Sequence, residues 1–360
     1  MDNINIHRVL IAPLDWGLGH ATRCIPIIHS LQSLDFEVII AAEGAGAKLL
    51  KAEFPNIRII HLLGYQIRYT KTPIGLLWKI LWQVPNIIKS INKEHTWLEK
   101  IIKDENIDLV ISDNRYGLYS SQIPCVFITH QLLIKTPFSI FDRLLQKINY
   151  RFINRFSACW VPDSAMEKNV AGKLSHPKKI PRTPVHYIGI LTRMLQASNR
   201  STKFKNCFLL SGPEPQRSIL EKQIISVLEQ ISGPNILVRG LPTSATAIKV
   251  PANTLVVNHI ATIELGAILT SSELIICRSG YTSIMELIGL QKKALLIPTP
   301  GQTEQEYLAQ KLFSEQRFFM HTQLGLNLSH AIDLAKHFQP VYADISIFTT
   351  KTLEALLLAL

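Results

Sequence analysis

Short apolar runs recur along this chain, and each leads into a glycine-bearing or hydroxyl-rich loop and then into a segment with helical spacing. Val9-Leu10-Ile11-Ala12-Pro13 is followed by Asp15-Trp16-Gly17-Leu18-Gly19-His20. Helical spacing through Ile25, Ile28 and Leu31 comes next, and then Glu37-Val38-Ile39-Ile40-Ala41-Ala42. An apolar run without polar alternation reads as a strand covered on both faces. Strand, loop, helix, strand is a crossover unit, which makes neighbouring strands parallel. Further strands are expected at 57–62, 109–112, 125–129 and 159–161. The pattern pauses at a strand near Tyr187-Ile188-Gly189-Ile190-Leu191, crosses a polar basic tract, and restarts with Asn206-Cys207-Phe208-Leu209-Leu210-Ser211-Gly212-Pro213. A helix over 217–231 and strands at 235–239, 254–258, 274–277 and 294–297 complete it.

At 360 residues the chain exceeds what one core usually serves. The expected architecture is α/β, with two Rossmann-like domains whose parallel sheets face a central cleft. The expected bounds are 1–190 and 191–340, and 341–360 is expected as a C-terminal helix packing back toward the first domain. A basic tract over 178–205 reads as the linker, and 116–134, the longest uncharged run, as strand, loop and strand. The five cysteines are scattered and never spaced C-x-x-C, which fits buried thiols in the cytoplasm and argues against a disulfide framework. No His, Cys, Asp and Glu cluster has metal-site spacing, so neither metal nor cofactor is expected.

The net charge is +11. Residues 68–103 interleave Arg68, Lys71, Lys79, Lys89 and Lys93 with Trp78, Ile80, Leu81, Trp82, Ile87 and Ile88. Residues 135–155 do the same with Arg143, Lys147 and Arg151 beside Phe138, Ile140, Phe141 and Leu144. Two readings stay open: helices suited to an anionic lipid surface, or core-facing helices whose outer sides carry lysine. A peripheral contact with the inner face of a membrane is the partner the first reading supplies. No nucleic-acid module accompanies the charge, and none is expected as a partner.

The chemistry-bearing loops sit at strand ends. Arg278-Ser279-Gly280-Tyr281-Thr282 follows an apolar strand and enters a helix, so unpaired amides and a helix dipole meet at one point, as an anion requires. Glu286, farther along that helix, is placed to accept hydrogen bonds from a polyol, and phosphate plus ribose is the ligand this suggests. Ser211-Gly212 before the next helix suits a diphosphate, although Pro213 removes a donor. Gly17-Leu18-Gly19-His20-Ala21-Thr22-Arg23 lacks the third glycine of a dinucleotide fingerprint. It puts the His20 imidazole and the Arg23 guanidinium at a helix start, as a general base or a hydroxyl or phosphate contact, or simply as a turn with a cap. Asp113, just past a buried strand, can take a proton, orient His20 or cap a helix. His130 and Gln131 end another strand and are candidate acceptor contacts with Gly17, Gly19 and Arg23. Gln302 and Gln305 lie in a loop that reads sugar hydroxyls or caps a helix.

The segment 274–311 resembles the carboxyl domain of family 28 glycosyltransferases, enzymes of the GT-B architecture typified by the N-acetylglucosaminyltransferase of peptidoglycan synthesis. Its apolar strand, Ser279-Gly280, Glu286, apolar-Pro strand and glutamine loop carry the likeness. The resemblance implies a UDP-sugar donor, with Ser279, Gly280, Tyr281 and Thr282 on the diphosphate and Glu286 on the ribose. Gln305 and Gln302 would meet the sugar, Ser211 and Gly212 would floor the pyrophosphate, and Ile260 would bind uracil through its backbone. The chain departs from that family in its Gly17-to-Arg23 loop, which replaces a double-glycine run, and in Glu306, which replaces a second glutamine. The first of these loops is similar to one in a nucleotide-sugar hydrolase of pseudaminic acid synthesis. The implied activity is inverting transfer of a hexosyl or N-acetylhexosaminyl group to an unknown, lipid-linked acceptor, with His20 or Asp113 as base. The alternatives are a UDP-sugar hydrolase using His20 and a non-catalytic nucleotide-sugar-binding module.

Overall fold

The computed structural model of the chain describes residues 6–65, 73–136, 139–194, 202–212, 214–241 and 247–360. Arg68, Lys71, Phe138 and Pro213 lie outside them, as do the side chains of Trp78, Lys79, Ile80, Leu81, Trp82 and Ile140. The chain divides into two compact units. Leu77–Arg193 and Ile345–Leu360 join the N-terminal strands in the first, and Met194–Asp344 forms the body of the second.

The first unit runs through β1 (Arg8–Pro13), α1 (Leu18–Ser33), β2 (Glu37–Ala42), α2 (Gly44–Glu53), β3 (Arg58–His61) and α3 (Pro73–Glu105). It continues with β4 (Leu109–Asp113), β5 (Cys125–Ile128), α4 (Ser139–Ile153), β6 (Ala158–Val161) and β7 (Val185–Tyr187). Among the described residues these strands form one sheet in the order β3-β2-β1-β4-β5-β6-β7, with every neighbouring pair parallel. Strand order reverses between β1 and β4, and the register pairs Pro13 with Asp113. Val9, Leu10, Ile11, Val110 and Ile111 are wholly buried, so these runs carry no polar alternation.

The second unit holds β8 (Phe204–Leu209), α5 (Gln216–Ile225), β9 (Asn235–Val238), β10 (Thr254–Val257), α6 (Thr262–Thr270) and β11 (Ser272–Cys277). After these come α7 (Tyr281–Gly289), β12 (Ala294–Leu296), α8 (Thr303–Ser314), β13 (Phe319–Met320) and α9 (Leu328–His337). Its parallel sheet has the order β10-β9-β8-β11-β12-β13, with the reversal between β8 and β11. Ligand sites of open parallel sheets form where strand order reverses, beyond the carboxyl ends of the strands. Those two points are where the glycine loops lie, Gly17-Leu18-Gly19-His20 beside Asp113 in one unit and Ser211-Gly212 beside Ser279-Gly280 in the other.

After α9 the chain rejoins the first unit. Ile347 bridges Ile190 in parallel, Thr349 caps α10 (Thr350–Leu357) by accepting from the Thr352 amide, and Thr350 Oγ1 donates to Ser30 Oγ on α1 at 3.2 Å. Helix is confined to 350–357 of the expected 341–360, because the bridge at Ile347 holds the preceding stretch extended. Within 116–134 the only strand is β5; Tyr116 and Tyr119 of the preceding loop pack on the core instead of forming a ladder. The basic tract at 178–205 contains β7, which pairs with β6, so its first part is sheet rather than linker. The helix expected over 217–231 stops at Ile225 and tightens into a 3-10 turn, Leu228–Gln230.

Gly240, two residues past β9, has φ +67°, and a Cβ there would run into the carbonyl oxygen of Leu210, between β8 and Ser211. Gly240→Ala should destabilise the second unit by about 1–3 kcal/mol from backbone strain. A urea melt followed by a probe in that unit measures it, and an unchanged midpoint would contradict the packing described.

Candidate functional site

In the first unit the site is assembled by a tight turn. Gly17 has φ +79°, a conformation glycine adopts without strain, and its amide donates to the Asp15 carbonyl at 3.0 Å. The Leu14 amide donates to the Asp113 carbonyl, which extends the β1–β4 pairing past the strand ends. His20 and Arg23 are three residues apart on α1 and therefore share a face. Both reach Asp113. The Arg23 Nε donates to Asp113 Oδ2 at 2.6 Å, its NH2 group donates to Oδ1, and His20 Nδ1 lies 3.2 Å from Oδ1. Arg23 NH2 is also 2.9 Å from His20 Nδ1, and NH1 is 3.2 Å from His130 Nδ1. Asp113, Arg23 and His130 are buried, while the His20 side chain keeps 14% of its surface exposed.

The electrostatics of this group follow from burial against pairing. Burial by itself would raise the Asp113 carboxyl, but the Arg23 charge, His20 and their hydrogen bonds outweigh it and bring it down to about 2. Burial lowers the His20 imidazole and the Arg23 charge lowers it further, with Asp113 opposing, so the ring is neutral at pH 7. A guanidinium can only donate, so His130 Nδ1 accepts from Arg23 and carries its proton on Nε2. The Gln131 side-chain nitrogen lies 3.4 Å from that Nε2. Asp113 has no exposed surface, which suits a carboxylate that orients His20 better than one that meets an acceptor.

A second ion pair holds the loops behind this group. Arg115, wholly buried, donates from Nε to Glu94 Oε1 at 2.7 Å, from NH1 to the Pro13 carbonyl and from NH2 to the Leu63 carbonyl. Tyr65 donates to Glu94 Oε2 at 2.7 Å and accepts from the Tyr116 amide. Burial raises the Glu94 carboxyl, and Arg115 and Tyr65 counter only part of that. Sequence reading missed this role for Glu94, Arg115 and Tyr65. No spacing signals it, because the partners lie on α3, past β4 and past β3.

In the second unit β11 delivers Arg278 and Ser279, both buried, to Gly280, the N-cap of α7. Among the described residues the amides of Ser279 and Gly280 donate no hydrogen bond. The Ser279 hydroxyl donates to the Gln305 carbonyl at 2.8 Å. Tyr281 and Thr282 open α7, and Glu286 lies buried farther along it. Ser211 and Gly212 follow β8, and Gly212 has φ +99° with open space where a Cβ would stand. Ile260 is buried after β10, ahead of α6.

Gln302 caps α8 and Gln305 lies in its first turn. Gln305 Oε1 accepts from the Thr299 amide at 2.9 Å, and its Nε2 donates to Gln302 Oε1 at 2.5 Å. The structure thus joins Ser279, Gln305 and Gln302 in one chain of hydrogen bonds. Sequence reading also missed a largely buried network, with Glu214 at its exposed edge, beyond the ends of β8, β9 and β10. Arg217 meets Glu214 at 2.6 Å and Glu221 at 3.3 Å, and Arg239 meets Glu221 at 2.5 Å and Asn258 at 2.8 Å. Among the described residues no group of three or more His, Cys, Asp and Glu is placed to hold a metal ion.

Comparison with known proteins places this geometry in context. The family described as Glycosyl transferase family 1 matches residues 8–333. An uncharacterized glycosyltransferase of Methanosarcina mazei is 22% identical over 320 residues, which cover 83% of this chain and 81% of that protein. Among solved structures, the glycotransferase of kitacinnamycin superposes with TM-score 0.65 at 12% identity, covering 98% of this chain and 94% of that one. The spinosyn rhamnosyltransferase SpnG complexed with thymidine diphosphate gives TM-score 0.57 at 17% identity, covering 98% and 92%. MurG of Acinetobacter baumannii gives 0.54 at 15% identity, covering 99% and 100%. These structures share the GT-B fold, two parallel-sheet Rossmann-like domains.

The depressed Asp113 value makes a signed prediction. Its stabilisation is fully present above about pH 4 and is lost as pH falls toward 2, and it amounts to roughly 2 kcal/mol. Asp113→Asn at pH 7 also strands a buried guanidinium and should cost about 3–5 kcal/mol. Melting curves of both proteins should differ most near neutral pH and converge below pH 4; a pH-independent gap would contradict the pairing.

Proposed function

The chain belongs to glycosyl transferase family 1, and we propose that it transfers a hexosyl or N-acetylhexosaminyl group, with inversion, from a UDP-sugar to an acceptor hydroxyl. The observation that carries the reading is the His20 imidazole, neutral at pH 7, anchored on Asp113 and partly exposed. Base catalysis requires the tautomer that donates Nδ1–H to Asp113 and leaves the lone pair on Nε2. Arg23 NH2, 2.9 Å from the same Nδ1, favours the opposite tautomer, so this group must give its hydrogen bond to Asp113 Oδ1 alone when the ring acts. The acceptor proton passes to Nε2, the acceptor oxygen forms the new bond at the anomeric carbon, and the bond from that carbon to the diphosphate breaks on the opposite side. The resulting imidazolium is stabilised by Asp113, which stays ionised, while burial and then the Arg23 charge keep the resting ring neutral.

The leaving diphosphate gains negative charge, and the amides of Ser279 and Gly280 at the start of α7 supply donors oriented before the reaction begins. Tyr281 and Thr282 continue that turn, Ser211 and Gly212 floor the diphosphate, Glu286 takes the ribose hydroxyls, and Ile260 meets the base. Gln305 and Gln302 read the sugar. The family 28 likeness of 274–311 supports a UDP donor, and the thymidine diphosphate in the SpnG structure makes dTDP the first competitor to test. Gly17, Gly19, Arg23, His130 and Gln131 shape the acceptor side.

A lipid-linked acceptor is supported by α4. Phe141, Leu144 and Ile148 fall on one face at helical spacing and are 49%, 54% and 45% exposed, with Arg143, Lys147 and Arg151 exposed around them. Among the described residues no helix is long and apolar enough to cross a membrane. A peripheral contact with an anionic bilayer fits this stripe, and flotation with phosphatidylglycerol vesicles should retain the wild type and lose Leu144→Glu.

His20→Ala should lower kcat by about 10² to 10⁴ while UDP affinity stays within a few-fold. Wild-type kcat/KM should hold level near pH 7 and fall along an acid limb whose pKa lies below 6.5, since the imidazole must be neutral to act. Acceptor-independent UDP release of undiminished rate would turn the reading to hydrolysis. Glu286→Ala should weaken UDP binding by calorimetry, and unchanged affinity would remove the ribose assignment.

A further inference from the structure

Six arginines are buried among the described residues, and five have a carboxylate partner. Arg23 pairs with Asp113, Arg115 with Glu94, Arg217 with Glu214 and Glu221, Arg239 with Glu221, and Arg317 with Glu315. Arg278 is the exception. It is 1% exposed, and its guanidinium donates only to main-chain carbonyls, those of Ile297 at 3.2 Å, Pro298 at 3.3 Å and Gln216 at 2.8 Å. Its Nε is buried without any partner. Burial brings the group down to about 10, so it still carries its charge near neutral pH.

A buried cation without a counter-ion is costly unless something compensates it. Carbonyl dipoles do so in part. The three carbonyls belong to the start of α5 after the Ser211-Gly212 loop and to the segment between β12 and α8, and Arg278 itself immediately precedes Ser279. The positive charge is therefore fixed among the three loops that frame the amides assigned to the diphosphate. We propose that Arg278 is the electrostatic partner of the donor's diphosphate, acting through the field at Ser279-Gly280 and through the loops its guanidinium ties together. It is a positioning and charge-supplying residue, and its missing counter-ion is the ligand's own negative charge.

This rests on the reading of Ser279-Gly280 as the diphosphate site, and the test separates the two. Calorimetry compares UDP with uridine, and dTDP with thymidine, on wild type, Arg278→Lys, Arg278→Gln and Arg278→Met, alongside melting curves without nucleotide. Wild type should bind one of the diphosphates far better than its nucleoside; no such preference sinks the diphosphate-site reading itself. Given that preference, the neutral variants should lose about tenfold to a hundredfold in diphosphate affinity. Nucleoside affinity should be unchanged, and their melting temperatures should equal or exceed the wild type's because an uncompensated charge has gone. Arg278→Lys should keep most of the preference. A neutral variant that retains the full preference, a lysine variant that loses as much as glutamine, or failure of both neutral variants to fold would overturn the proposal.

Discussion

Parallel strand pairing is the constraint from which the rest of this protein follows. Each strand must be returned to the same starting edge by a helix, so every carboxyl end, with its loop and following helix N-terminus, opens on one side of its sheet. Where strand order reverses, two such loops diverge and leave room between them. β1 and β4 make that point in the first unit, and β8 and β11 make it in the second. His20 and Asp113 meet at one; Ser211-Gly212 and Ser279-Gly280 lie at the other.

Both units hold closed buried ion pairs, and among the described residues the second alone also keeps a buried arginine without a carboxylate partner. In the first, Asp113 with Arg23 and Glu94 with Arg115 are closed pairs; the remaining donors of Arg115 go to loop carbonyls, and those of Arg23 meet the His20 and His130 rings. Closed pairs give rigidity: the imidazole is held at a fixed place and in a neutral state, as a base for a hydroxyl requires. In the second, the Arg278 charge is buried among carbonyls outside the protein's own ion pairs, and the main-chain donors at the start of α7 lie next to it in sequence. Open positive potential is what a leaving diphosphate can use.

Much of the architecture was legible because apolar runs and loop glycines are local signals. The core strands from Val9 to Ile297 other than β7 were found within a residue or two, and the loops at Gly17, Gly212 and Gly280 were found with them. What local reading got wrong depended on distant partners. The stretch at 345–349 stays extended because Ile347 bridges Ile190, and 185–187 becomes strand because β6 offers it an edge. Glu94 lies between Lys93 and Lys100 in sequence, and only the fold sets it against Arg115, Tyr65 and the Gly117 amide.

By itself the sequence determined the parallel α/β class, the positions of the glycine loops and the presence of a histidine, an arginine and a carboxylate near strand ends, because these depend on contiguous residues. Only the tertiary structure decided which groups meet. It turned Arg23 onto Asp113, joined Gln305 to Ser279 and left Arg278 among carbonyls with no acid beside it. Pairing across 26 or 90 positions of chain is set by strand order and register, and no window of neighbouring residues contains that information.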